Sequence, residues 1–169
     1  MTNEIYKTKT KPYFSNARID LVNLIPEHKK MGAVLEIGAG SGDTLLYAKN
    51  NGFANTIFGV ELCKIENSHQ SSSEFEKFII GNIEEMELEF NEESFDVIIC
   101  GDVLEHLINP YETVLKLKKY MKKDAIFIAS IPNIRYWRVL KNIIFKGDFQ
   151  YMEAGILDKT HLRFFVKRT

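Results

Sequence analysis

The 169-residue chain is poor in the residues that mark several protein classes. It has two cysteines, four prolines and one tryptophan, and no run approaches the roughly 18 to 20 apolar residues that cross a bilayer. No membrane span is therefore expected. Cys63 and Cys100 lack metal-like spacing and read as reduced thiols of a cytoplasmic protein. The opening stretch MTNEIYKTKTKPYF carries charge without the apolar centre of a secretory signal. An excess of one charge is also lacking. Lys+Arg number 22 against 23 Asp+Glu, a net charge of −1. This excludes broad charge-driven nucleic-acid binding and leaves room for a local basic face. Repeats and low-complexity tracts are absent. What remains is 45% hydrophobic and 27% charged residues, the composition of one globular domain with its own core.

Short apolar runs alternate with helical spacing along the chain. After a polar, lysine-rich arm, SNARIDLVNLI predicts a helix from Ser15, closed by Pro26. Residues 33–37, 55–60, 77–80, 94–100 and 124–130 read as strands, and the β-branched SFDVIIC run reads as buried on both faces. Helices are expected over 42–50, 63–70 and 110–122, the last opened by Pro110. Strand–helix alternation with short connections predicts an α/β fold, a doubly wound parallel sheet of five strands in the order 3-2-1-4-5. Residues 1–30 read as an arm and capping helix, and 31–169 as the main domain.

Ligands of such sheets bind beyond the carboxyl ends of the strands, at the first strand-to-helix turn. Here that turn is Glu36-Ile-Gly38-Ala39-Gly40-Ser-Gly42. Its alternating glycines permit a tight turn and close ligand approach. Asp43 stands where a third glycine of the dinucleotide fingerprint would fall, and a carboxylate at a helix N-terminus repels a pyrophosphate. The loop therefore suits a ligand without phosphates, and Glu36 favours a cationic one. Glu61, at the end of the second strand, is placed to accept both hydroxyls of a ribose. Asn82, after the third, suits the edge of an adenine. A nucleoside with a cationic tail is S-adenosylmethionine.

On VLEIGAGSGDT, FGVEL, IIGNIEE, SFDVIICGDVLEHLINP, IASIPNIRYW and LDKTHLRFF, the chain resembles the class I S-adenosylmethionine-dependent methyltransferases. The resemblance spans about residues 12–169 and implies a Rossmann-like fold. It implies that Glu36, Gly38, Ala39 and Gly40 flank the methionine portion, while Glu61 and Leu62 meet the ribose. Asn82 and Ile83 would hold the adenine, Gly101 and Asp102 would line the site, and Tyr13 and Arg18 would reach the cofactor carboxylate. Asn82 departs from the aspartate many relatives carry. The family's sheet normally continues past THLRFF into a further helix and an antiparallel strand pair. Without that pair, the fifth strand is expected to present an edge that invites homodimerisation.

Methyl transfer to a hydroxyl needs alignment and a base, for which His106 and His161 are the candidates and Glu105 an assistant. Asp102 has no second carboxylate pair at ligand spacing, so no metal is expected. Arg135-Tyr136-Trp137-Arg138 suits stacking a sugar or base or gripping an anionic carrier. Alternatively, it belongs to an amphipathic helix that packs Trp137, Leu140, Ile144 and Phe145 onto the sheet edge. The resemblance points to the glycan and quinone branch, hence O-methylation of a small-molecule or carbohydrate-like acceptor. The rival expectation is a cofactor-binding regulatory or assembly domain of a larger glycan-modifying protein, without turnover of its own.

Overall fold

The computed structural model describes residues 16–167. Five parallel strands form one sheet: β1 (Gly32–Ile37), β2 (Ala54–Glu61), β3 (Lys77–Ile80), β4 (Phe95–Gly101) and β5 (Met121–Ser130). Their order is β3-β2-β1-β4-β5, as the alternation predicts. Helices α1 (Ile19–Val22), α2 (Asp43–Asn50), α3 (Pro110–Lys118) and α4 (Trp137–Lys146) complete the element order, with short 3-10 turns at Glu27–Lys29 and Leu104–His106.

The central strands β1 and β4 are mostly apolar because both faces are covered, with Glu36 and Asp96 as their charged residues. Val34, Val97 and Ile99 join Leu21, Val22, Leu45 and Ala48 in a core beneath α1 and α2. Leu35, Ile37, Ile98 and Cys100 point the other way, into a core with Leu104, Leu117 and Tyr120. Phe95 is fully buried there, with the rings of Phe58 and Phe90 edge-on at 5.1 Å each.

Three expected helices are corrected. The first is only Ile19–Val22, because the chain then tightens into bonds from Leu24 N to Leu21 O and Ile25 N to Val22 O before Pro26. Ser15, its expected cap, lies outside the described residues. Residues 63–70 form turns rather than a helix. There Gln70 Oε1 accepts Ile65 N–H, and its amide nitrogen donates to the carbonyls of Cys63 and Gly40. Side-chain bonds thus replace a helical ladder, the competition expected of short polar stretches. The helix expected over 110–122 stops at Lys118 because the Tyr120 carbonyl accepts Ser94 and Phe95 N–H and feeds the chain into β5.

α4 departs from expectation in a different way. It forms, but none of its residues is buried. Trp137, Ile144 and Phe145 stand exposed at 59%, 69% and 78% instead of packing on the sheet edge, while Leu140 is half-buried.

Candidate active site

A cleft opens across the carboxyl ends of β1, β2 and β4. It has two lobes, which share Gly38, Glu61 and Val103 as walls. The shared wall depends on glycine. Gly38 has φ +71°, and a Cβ there would stand 2.4 Å from Val103 Cγ2. Gly42 closes the turn at φ +93° and starts α2, with Phe75 Cζ 2.7 Å from where a Cβ would be.

The first lobe is lined by Leu62, Asn82, Ile83, Glu84, Leu107, His106 and Thr160, among others. Its apolar walls and a single amide suit a flat nucleobase. The Asn82 side-chain oxygen accepts Glu84 N–H, which pins the loop after β3. The second lobe holds Arg18, Glu36, Ala39, Gly40, Thr44, Gly101 and Asp102. Arg18 pairs with both Asp20 and Asp102. Asp102 sits in the left-handed region at φ +54° and also accepts the Ser130 hydroxyl. One cation, Arg18, among several carboxylates suits a zwitterionic amino-acid tail.

Two carboxyls at the junction carry the electrostatics. Glu36 is buried, and burial pushes its pKa up to about 8 even though Thr44 hydrogen-bonds it. Its Oε2 has no hydrogen-bond partner among the described residues. A buried, unpaired acceptor is costly, and a cationic ligand relieves it. Glu61 is also buried and its pKa is raised by desolvation, against the bonds it accepts from Gly40, Cys63 and Leu62. This donor set fits S-adenosylmethionine: a base in the first lobe, a ribose at Glu61, and the sulfonium and amino-acid end beside Glu36 and Arg18.

Most of the cofactor residues read from the sequence lie along this one cleft. Tyr13 lies outside the described residues. Of the two histidines, only His106 lines the cleft. Its Nδ1 faces the Thr160 carbonyl at 3.2 Å, an acceptor for an Nδ1–H. His161 sits behind it, buried, with the two ring centroids 4.8 Å apart and Nδ1 donating to Ile156 O at 2.9 Å.

Glu105 is 1% exposed, and neither carboxylate oxygen has a hydrogen-bond partner among the described residues. Burial, with the nearby Asp102 and Asp158 charges, pushes its pKa up to about 8. His161 Nε2 stands 3.9 Å from Glu105 Oε1. Glu105, His106 and His161 each offer one ligand atom within 4.8 Å of the others, a donor set for a metal ion that sequence spacing did not reveal.

Sequence reasoning also missed Thr44, Val103, Thr160 and Gln70. Thr160 was adjacent to a candidate histidine in THLRFF. Gln70 gave no signal, since its partner Gly40 lies 30 residues away.

A doubly wound parallel sheet with a nucleoside-sized, acid-lined cleft at its carboxyl edge is the architecture of the Rossmann-like S-adenosylmethionine-dependent methyltransferases. The chain belongs to the methyltransferase domain family, which it matches over residues 13–169. It is 30% identical over 131 residues to the ubiquinone biosynthesis O-methyltransferase of Rickettsia bellii, covering 76% of this chain and 52% of that protein. It is also 30% identical over 120 residues to the malonyl-[acyl-carrier protein] O-methyltransferase of Halalkalibacterium halodurans, covering 65% and 44%. The chain thus spans about half the length of these relatives. Its fold is shared with the PH0226 protein of Pyrococcus horikoshii, with a TM-score of 0.61 and 24% identity over 82% of this chain and 71% of that one.

Proposed function

We propose that this domain transfers the methyl group of S-adenosylmethionine to a hydroxyl oxygen of a small-molecule acceptor. When bound, the cofactor supplies a methyl group activated by a sulfonium leaving group. The protein holds it and removes a proton from the acceptor. Glu61 takes the ribose, Asn82 and Ile83 the base, and Glu36 and Arg18 the charged tail. The observation that carries the reading is His106 in the wall of the cleft, its ring oriented by the Thr160 carbonyl. His106 Nε2 accepts the acceptor's hydroxyl proton. His161, behind it, is a positioning residue.

The relatives named above are both O-methyltransferases, which supports oxygen as the accepting atom. The carbohydrate-like acceptor drawn from the sequence has no support among them. A hydroxyl fits better than a carboxylate, because a carboxylate arrives deprotonated and would leave His106 idle.

His106→Ala tests this reading against a panel of phenolic and alcoholic acceptors. A general base contributes about 100-fold or more, so turnover should fall by that factor while S-adenosylhomocysteine binding is kept. Equal turnover in variant and parent would remove His106 from the mechanism. Binding without turnover by the parent across the whole panel would favour the regulatory or assembly domain.

The unpartnered oxygens of Glu105 favour one second reading. A divalent cation held by Glu105, His106 and His161 would activate the acceptor oxygen as a Lewis acid. Activity lost on chelation and restored by added magnesium or zinc would select it over the general base. We take residues 1–30 as an arm and capping helix leading into the catalytic domain 31–169, in keeping with Leu21 and Val22 of α1 in the sheet's own core. The outer edge of β5 pairs with no strand among the described residues, and a homodimer through it would appear in sedimentation velocity.

A further inference from the structure

The loop after β3 is bonded to both ends of α3. Lys116, in the last turn of the helix, donates to the carbonyls of Ile83 and Met86. At the other end the Glu84 carboxylate accepts two backbone bonds, Ile108 N–H to Oε2 at 3.1 Å and Asn109 N–H to Oε1 at 2.7 Å. Asn109 is the N-cap of α3, and its own side chain makes no capping bond. Pro110 follows, with no N–H to offer. A carboxylate 25 residues earlier in the chain thus takes the N-cap N–H that the glutamate of a local capping box would take. Its negative charge also suits the positive end of the helix.

The Glu84 bonds join the base-binding loop to the turn that carries His106. On one side, Ile83 and Glu84 line the base lobe, and the Asn82 side chain accepts Glu84 N–H. On the other, Ile108 follows His106 by two residues, just past the turn Leu104–His106. That turn has little of its own to hold it, namely His106 N–H to Val103 O at 3.0 Å and Leu107 N–H to Leu104 O at 3.4 Å. Such i to i+3 bonds have poor geometry, so the position of the turn is set by what grips its ends. Residues 160–163 supply one grip. The Glu105 carbonyl accepts Leu162 and Arg163 N–H, Arg163 Nη2 donates to Ile108 O at 2.6 Å, and the Thr160 carbonyl faces His106 Nδ1. Glu84 supplies the other, from the cofactor side.

We propose that Glu84 is a positioning residue: it ties the base-binding loop to the turn of His106, so that a nucleoside in the base lobe fixes His106 for the acceptor. This rests on the cofactor and the base assigned to the cleft above. A nucleobase packed against Ile83 favours the closed loop, and the closed loop is the one whose carboxylate meets Ile108 and Asn109. A ligand that prefers one arrangement stabilises the bonds of that arrangement, and the effect is reciprocal. The acceptor should therefore bind the cofactor-loaded domain more tightly than the empty one, by about 5- to 150-fold if the coupling is of ordinary size.

Amide exchange followed by NMR reads the turn directly. His106 and Leu107 N–H are the amides to watch, because their acceptors, Val103 O and Leu104 O, survive any change at Glu84. The 169-residue chain is compared with Glu84→Ala and Glu84→Gln, each with and without S-adenosylhomocysteine. Calorimetry gives each affinity, and circular dichroism confirms folding. At about 100 times each protein's own Kd, ligand slows exchange about 100-fold wherever opening abolishes binding. In the parent that slowing is expected at His106 and Leu107 and at Gly40 and Gly42. In Glu84→Ala it should persist at the two glycines and be lost at His106 and Leu107, which a merely structural role for Glu84 would not bring about. Glu84→Gln keeps one accepting oxygen and should keep part of the slowing, and it carries the test if the alanine variant does not fold.

Three results would overturn the proposal. No binding of S-adenosylhomocysteine by the folded parent would remove the cofactor reading and this inference with it. Binding that slows Gly40 and Gly42 but not His106 and Leu107 would remove the coupling and leave the cofactor reading standing. Slowing at His106 and Leu107 equal in the parent and in the folded variants would show that the turn is fixed without Glu84.

Discussion

Glu61 accepts the backbone N–H of Gly40, 21 residues earlier in the chain, at 2.9 Å. The same carboxylate accepts Leu62 N–H at 2.8 Å through its other oxygen. The residue read as the ribose ligand therefore also ties the glycine turn to the end of β2. On the proposed reading, cofactor binding and the shape of the turn would share one side chain.

Glu61→Ala should consequently lower both affinity and stability. Loss of two charge-assisted bonds to ribose weakens S-adenosylhomocysteine binding by about 2 to 4 kcal/mol. The unsatisfied Gly40 and Leu62 amides cost about 1 to 3 kcal/mol of folding stability. Calorimetric titration and urea unfolding read the two separately. Weakened binding at unchanged stability would mean the backbone bonds contribute nothing.

Glu36 sets a pH dependence. Its folded pKa is pushed up to about 8, above the ordinary 4.5 of an unfolded chain, so the ligand-free domain holds it protonated at pH 7. A sulfonium or ammonium group favours the carboxylate, so cofactor binding should release a proton and tighten as pH rises through 8. Stability runs the other way. Between 4.5 and about 8 the folded state binds more protons at Glu36 than the unfolded one. Its contribution is full below that window and is lost as pH rises through it. Glu36→Gln should flatten the binding profile and reduce the slope of the stability profile, where Glu105, also pushed up to about 8, keeps its own share; titration in buffers of different ionisation enthalpy and urea midpoints from pH 5 to 9 read the two. A variant as pH-sensitive as the parent would remove Glu36 from the linkage.

Arg18 bridges Asp20 and Asp102 at the rim of the second lobe, with its side chain 29% exposed. Partly exposed pairs contribute about 0.2 to 1 kcal/mol, so Arg18→Ala should barely move the melting temperature. Its effect should fall on the ligand's carboxylate. The variant should lose about tenfold or more in S-adenosylhomocysteine affinity, the worth of a charged hydrogen bond. It should bind a decarboxylated analogue as the parent does. An equal loss for both ligands would place the cofactor carboxylate elsewhere.

Gln70 gives a test of the loop that sequence reasoning took for a helix. Its amide satisfies the carbonyls of Gly40 and Cys63 and the N–H of Ile65. Gln70→Ala strands a buried Gly40 carbonyl and should cost about 1 to 3 kcal/mol. Amide exchange should quicken at residues 38–42 first. Protection there equal to the parent would show that the turn stands without Gln70.

The sequence by itself determined the strands, their order and most of the cleft. Strands such as 77–80 and 94–100 are legible because β-branched and aromatic runs are local signals. The order follows from short right-handed crossovers, which leave few topologies. Glu36, Gly38, Glu61 and Asn82 are legible because in such a sheet the carboxyl end of each early strand opens on the ligand. Tertiary structure alone decided the rest. Whether 63–70 is helical depended on Gln70 finding Gly40, a contact 30 residues long. Whether His106 or His161 meets the cleft depended on how the segment near Thr160 folds back, since both are equally histidine in sequence. Glu105 becomes a buried carboxyl with no hydrogen bond only when His161 and β4 close around it. The apolar stripe of α4 is legible as a pattern, but periodicity tells which residues share a face and not what covers that face. Burial is a sum over distant neighbours, and no local stretch of chain contains them.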